Sequence, residues 1–151
     1  MHTKKLTLLA FVTGAAFFLA GCASNEQFVR LPDQSKRVEN QEMGRIYIVR
    51  PTSFGSAASM EVWDGEKHIG NTGPGAFLCW ERDPGAVRVI GKEENESAVT
   101  LNVQPNEVYF IFQHVRMGWL AARNRLDVVS EDEGRKIFEK CSPPKVVKAH
   151  D

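Results

Sequence analysis

Three cysteines, four histidines and nineteen carboxylates are the groups in this 151-residue chain that could do chemistry. The clearest spacing surrounds the first cysteine, in Leu19-Ala20-Gly21-Cys22. Small residues at Ala20 and Gly21 leave the backbone open to a protease. A thiolate at Cys22 is the nucleophile that can accept a diacylglycerol, and cleavage after Gly21 frees the Cys22 amine for a further acyl chain. The other two cysteines, Cys79 and Cys141, have no nearby histidine or nucleophile motif. His68, His114 and His150 stand apart, with no CxxC or HxxxH spacing, so no metal site is expected. No serine lies in a Gly-x-Ser-x-Gly elbow. Gly70-Asn-Thr-Gly-Pro-Gly75 lacks the Lys-Ser/Thr ending of a phosphate loop and reads as a turn. Glu61, Asp64, Glu81, Asp83 and two acidic clusters fall mostly in turns or at a helix start, where solvation and capping account for them. No catalytic residue and no cofactor is expected.

The segment before Cys22 fits that chemistry. Lys4 and Lys5 form a positive start, and Leu6 to Leu19 is uncharged, largely apolar and short for a membrane span. Residues 1–21 therefore read as a leader ending in a bacterial lipobox. Lys4 and Lys5 leave with it, so 19 basic against 19 acidic side chains becomes 17 against 19. That balance excludes a nucleic-acid binder driven by phosphate neutralisation. Ala23, rather than Asp, after the lipidated cysteine favours sorting to an outer membrane, facing the periplasm. Outside the cytoplasm Cys79 and Cys141 could be bridged, closing a long loop for roughly 4 kcal/mol. Two buried free thiols are the alternative.

Behind the anchor, residues 22–42 are polar, contain Pro32 and show no periodicity, and read as a flexible tether on the order of 25 Å in reach. From there the pattern is strand-like. Gly44 to Arg50 is β-branched and aromatic and is closed by Pro51. Ser59 to Trp63 and Lys67 to Gly70 flank Asp64-Gly65, a hairpin signal. Further strands are expected over Ala76–Glu81, Ala86–Lys92, Ser97–Gln104, Glu107–Val115 and Leu120–Val129, the last with Leu126 and Val128 inward. Val108, Phe110 and Phe112 alternate with Tyr109 and Ile111, so that strand should be central and covered on both faces. Ser130-Glu131-Asp132-Glu133 is a capping box opening a helix, with Ile137, Phe138 and Cys141 on one face and Gly134 as a weak point. The expected fold is mainly β: an antiparallel β-sandwich of seven or eight short strands with one C-terminal helix over residues 43–142, then a polar tail over 143–151.

The run Gly44-Arg-Ile-Tyr-Ile-Val-Arg-Pro-Thr-Ser-Phe54, with Asp64-Gly65-Glu66-Lys67-His68-Ile69-Gly70, Pro84-Gly85, Met117-Gly118-Trp119 and the acid-rich stretch to Glu133-Gly134, resembles a family of bacterial lipoproteins. That family carries a domain of unknown function numbered 2846, and the resemblance covers roughly residues 43–135. It implies a compact sandwich, similar to PEGA-type and transthyretin-like modules, on a lipid anchor. It supplies no catalytic residues. Cys79 and Cys141 are not part of its pattern, so a bridge is an inference from this chain alone.

Aromatic residues are the remaining candidates. Phe54 lies in a small-residue loop, and Trp119 is flanked by Arg116, Arg123 and Arg125. Tryptophan beside arginine is the composition of an interface hot spot. Alternatively Trp119 covers the end of the sandwich and the arginines are solvated. Trp63 and Trp80 alternate within strands and read as core. The expectation is a non-enzymatic envelope module, membrane-bound through Cys22, that engages an envelope protein or cell-wall partner through Phe54, Arg116 and Trp119. The rival is a periplasm-facing enzyme or small-ligand carrier whose site is assembled from distant strands.

Overall fold

The computed structural model describes residues 24–51, 57–117 and 122–148. The chain is mainly β, in two facing sheets with one helix near the C-terminus. Its elements are β1 (Glu26–Gln27), β2 (Gly44–Arg50), β3 (Met60–Asp64), β4 (Lys67–Thr72), β5 (Ala76–Arg82), β6 (Gly85–Lys92), β7 (Glu96–Val103), β8 (Val108–Met117), β9 (Ala122–Val129), α1 (Glu131–Phe138) and β10 (Lys145–Val146). One sheet runs β10-β1-β4-β3-β6-β7 and the other β5-β2-β8-β9. Both are mixed rather than purely antiparallel, because β2 pairs with β8 and β1 with β10 in parallel.

Burial on both faces explains β2, in which every residue from Gly44 to Arg50 is buried. Ile46 and Ile48 point between the sheets, where they meet Val62, Leu78, Val89 and Ile111. Tyr47 and Val49 point the other way, into a second cluster with Phe77, Phe110, Ile137 and Phe138 beneath α1. Tyr47 stacks on Phe110 at 4.7 Å and meets the Phe138 ring edge-on at 5.1 Å. β8 is likewise central, with Ile111 facing the first cluster and Phe110 the second.

Four expectations need correction. Residues 24–42 are not a tether: Gln27, Pro32 and Val38 are buried, and β1 is paired on both sides. Two-residue strands and side-chain anchors leave no periodicity to read. The tail is also structured as far as β10, which pairs with β1. Trp63 lies on the outer face, because Met60 and Val62 are the inward residues of β3 and strict alternation turns Glu61 and Trp63 out together, the indole N–H donating to Glu61 Oε2 at 2.9 Å. Its ring stacks on His68 at 4.4 Å, with the Lys92 ammonium 4.6 Å from its centroid. Val128 is 49% exposed, lying on the edge strand beyond the contacts that fasten Asn124 and Leu126. The predicted hairpin after β3 is present, one residue on: Gly65 takes φ 58° and the loop is Gly65-Glu66.

The two edges of the four-stranded sheet are closed by side-chain amides that imitate a neighbouring strand. The Gln27 amide donates to Cys79 O at 2.8 Å while its oxygen accepts from Cys79 N at 3.0 Å, on the outer side of β5. At the other edge Asn95 Nδ2 donates to Asn124 O at 2.8 Å and Asn95 Oδ1 accepts from Asn124 N at 2.8 Å. Each satisfies backbone groups that an open edge would leave to another chain.

Helix α1 is capped as its sequence indicates, the Ser130 hydroxyl accepting from Glu133 N at 3.3 Å. Gly134 has a reason beyond propensity. A Cβ there would sit 2.1 Å from Phe110 Cγ, so the helix lies flush on the sheet only with glycine. In an exposed helix Gly→Ala would stabilise by about 1 kcal/mol. Here Gly134→Ala should instead destabilise by about 1–3 kcal/mol, the usual range for overpacking, in urea unfolding. A stabilised variant would show that helix and sheet are not in that contact.

Candidate functional site

A cleft of about 430 Å³ opens at the end of the sandwich where β2 begins. Its floor is Trp80 and Ile69, its sides are Lys67 and Glu81, and residues 29–43 roof it through Val29, Arg30, Pro32, Glu39 and Met43. A neighbouring hollow of about 350 Å³ shares Met43, Lys67, Trp80 and Glu81 and extends to Asp64, Arg82 and Asp83.

A buried ion pair fastens the roof from below. Arg45 on β2 and Glu81 on β5 are direct cross-strand partners, and their side chains are 0% and 8% exposed. Arg45 Nε and Nη2 donate to Glu81 Oε1 at 3.0 and 2.8 Å. The remaining donors reach the segment above: Nη1 to Lys36 O at 2.7 Å and to Tyr47 OH at 3.2 Å, Nη2 to Asp33 O at 3.1 Å. All five guanidinium N–H groups are thereby engaged. Glu81 also accepts from the backbone N–H groups of Glu39 at 2.6 Å and Asn40 at 3.1 Å. Tyr47 OH donates to Gln34 Oε1 at 2.9 Å, and burial pushes this phenol up to about 12.

The roof has a second clasp at its rim, where Arg30 pairs with Glu39 through bonds of 3.0 and 2.5 Å and Asp33 N donates to Glu39 Oε2 at 3.0 Å. Asp64 accepts from Trp80 Nε1 at 2.7 Å and from Arg82 Nη1 at 2.5 Å, which fixes the floor. Glu39, Glu81 and Asp64 therefore all have partners. The exposed Lys67 ammonium is the cation at the mouth for which no such pairing is seen. The arrangement can hold a ligand against a tryptophan floor. It does not leave these three carboxylates poised to exchange protons.

The residues singled out from sequence fall elsewhere. Arg116 is exposed near the end of β8, opposite Arg123 on β9, at the far end from the cleft. Gly21, Cys22, Phe54 and Trp119 lie outside the described residues. Cys79 and Cys141 are free thiols, which overturns the bridge. Cys79 lies level with Tyr47, whereas the bridge between Ser142 and Ala76 ties Cys141 to the start of β5, three or more residues away. That is about 10 Å along a strand, beyond disulfide reach. Cys79 accepts from Gln34 Nε2 at 3.6 Å, and Cys141 donates to Ile137 O at 3.4 Å. Burial pushes the Cys79 thiol up to about 11 and raises that of Cys141 as well, so neither is an activated nucleophile. His114 meets Asp127 at 3.0 Å, yet burial keeps its imidazole below the usual range. Among the described residues no group of three or more His, Cys, Asp or Glu could hold a metal ion. No helix among them is long and apolar enough to cross a membrane.

The sequence reading missed Arg30, Glu39 and Arg45. The available signal was a pair of arginines bracketing an otherwise apolar strand, Arg45 and Arg50, both of them fully buried. Arg50 donates to Ala58 O and Thr72 O at 2.7 and 2.6 Å, and burial brings it down to about 10. Glu39 carries a pH prediction. Its bonds with the Arg30 guanidinium and with Asp33 N hold its carboxyl down at about 2. A carboxyl whose folded value is lowered contributes fully above the ordinary value of about 4.3 and loses that contribution as pH falls toward 2. An NMR titration should place the Glu39 midpoint near 2, with the Asp33 amide losing protection in the same window. A midpoint at about 4 or above would contradict the clasp.

No family model matches the chain. An uncharacterized protein of Haemophilus influenzae is 27% identical to it over 143 residues, which is 92% of this chain and 85% of that protein. Among solved structures, the NMR structure of a protein from Eubacterium rectale aligns with a TM-score of 0.41 and 13% identity, over 63% of this chain and 96% of that one.

Proposed function

We propose that the chain is a lipid-anchored bacterial envelope protein, held in the membrane through Cys22 and acting as a non-enzymatic binding or scaffolding module on the periplasmic side. The observation that carries the anchoring is the run Leu19-Ala20-Gly21-Cys22, followed two residues later by a folded domain. The resemblance of residues 43–135 to lipoproteins with the domain numbered 2846 and the Ala23 signal for an outer membrane support the same reading. Its partner is an envelope protein or a cell-wall polymer.

The non-enzymatic part rests on the cleft. Its carboxylates Glu39, Glu81 and Asp64 are occupied in holding the roof and floor. A second reading, a small-ligand carrier, is favoured by the volume of the cleft, its tryptophan floor and the exposed Lys67.

The anchoring is tested by Cys22→Ser. Wild-type protein should fractionate with membranes and carry acyl mass at its N-terminus. The variant should appear as folded protein in the soluble periplasmic fraction. Membrane retention of an intact, leader-cleaved variant would overturn the reading.

A further inference from the structure

We infer that the end of the sandwich at which β1 starts lies directly against the headgroups of the bilayer, so that the cleft opens away from the membrane. The inference rests on lipidation of Cys22 and adds an orientation to it. The argument is one of chain length. Ser24 is two residues from Cys22, and two residues span at most about 7 Å.

Ser24 has no slack of its own. Ser59 Oγ donates to Ser24 O at 3.3 Å, and the two hydroxyls lie 3.4 Å apart. The next residue is fastened as well: Asn25 Nδ2 donates to Pro143 O at 3.0 Å and Asn25 O accepts from Lys145 N at 2.9 Å. From Glu26 the chain is in the sheet, paired with Asn71 on one side and Lys145 on the other. A diacylated cysteine must sit at the headgroup level, so a domain fastened this close to it cannot stand off.

Topology decides which end is brought down. Ser59 precedes β3, and Asn71 lies near the end of β4. The Ser142–Ala76 bridge puts the C-terminus of α1 at the start of β5. Because β2 and β8 are parallel, their C-terminal ends lie here too. The charges at this end are mixed, with exposed Lys140, Lys145 and Arg116 but also Glu139 and, at the β6–β7 turn, Glu94 and Glu96, so the orientation is carried by chain length and not by charge. The cleft is at the opposite ends of β2 and β5. Seven residues of strand put it about 23 Å further from the bilayer.

The test uses the full lipidated chain in a Cys79→Ala, Cys141→Ser background. It is reconstituted in phosphatidylethanolamine and phosphatidylglycerol vesicles that carry a nitroxide on the headgroup. A fluorophore is placed through Lys140→Cys or Lys145→Cys at one end, or through Glu66→Cys or Asp83→Cys at the other. Lipid nitroxides should quench the first pair strongly and the second pair little. A Gly/Ser insert of about 20 residues between Ala23 and Ser24, on the order of 25 Å in reach, should keep the protein in the membrane and abolish the difference. Equal quenching at both ends, in protein shown by mass to be acylated, would overturn the orientation and leave the anchor standing. Protein recovered without acyl chains would overturn the anchor itself.

Discussion

Arg45 has five N–H donors and a charge it cannot lose, and it is fully buried, so something must surround it. Glu81 supplies the counter-charge from the adjacent strand. The carbonyls of Asp33 and Lys36 supply acceptors that neither strand could offer. The chain between β1 and β2 is thus wound over the end of the sheet by the need to satisfy one guanidinium. The same carboxylate then takes the amides of Glu39 and Asn40. A buried pair of this kind is a weak source of net stability when compared with an apolar substitute, but costly to break from one side. Its value here is that it turns a polar, aperiodic segment into the roof of a cleft.

A similar logic closes the sheet edges. β5 and β9 would each expose a row of backbone donors and acceptors. Gln27 and Asn95 each satisfy a donor and an acceptor of one edge residue, using a planar amide in place of a strand. Ser142 adds a backbone contact at Phe77. At these points the edges of the four-stranded sheet are met by side chains rather than by a further strand.

Regular repeats were legible and solitary contacts were not. The eight longer strands follow from alternation and from turn residues, and β2 begins and ends at the residues expected from Gly44 and Pro51. The helix follows from its capping box. Gln27 and Val38 sit in no periodic pattern, so residues 24–42 read as coil although they are packed. Trp63 was misplaced because its size and apolarity outweighed the alternation, in which Met60 and Val62 already take the inward positions. Gly134 read as a flaw because its reason, the Phe110 ring, lies on another element. The cleft was invisible for the same cause: Arg30, Glu39, Arg45 and Glu81 come from three separate stretches and meet only through the pairing of β2 with β5.

The claim that most else depends on is that the Arg45–Glu81 pair fastens residues 30–43 to the sheets. Its most direct measurement is amide hydrogen exchange and urea unfolding of Arg45→Ala beside wild type. The account predicts a loss of about 3–5 kcal/mol, as for one-sided removal of a buried pair, and collapse of protection at Glu39 and Asn40 even where the strands stay folded. A loss under about 1 kcal/mol, with those two amides still protected, would contradict it.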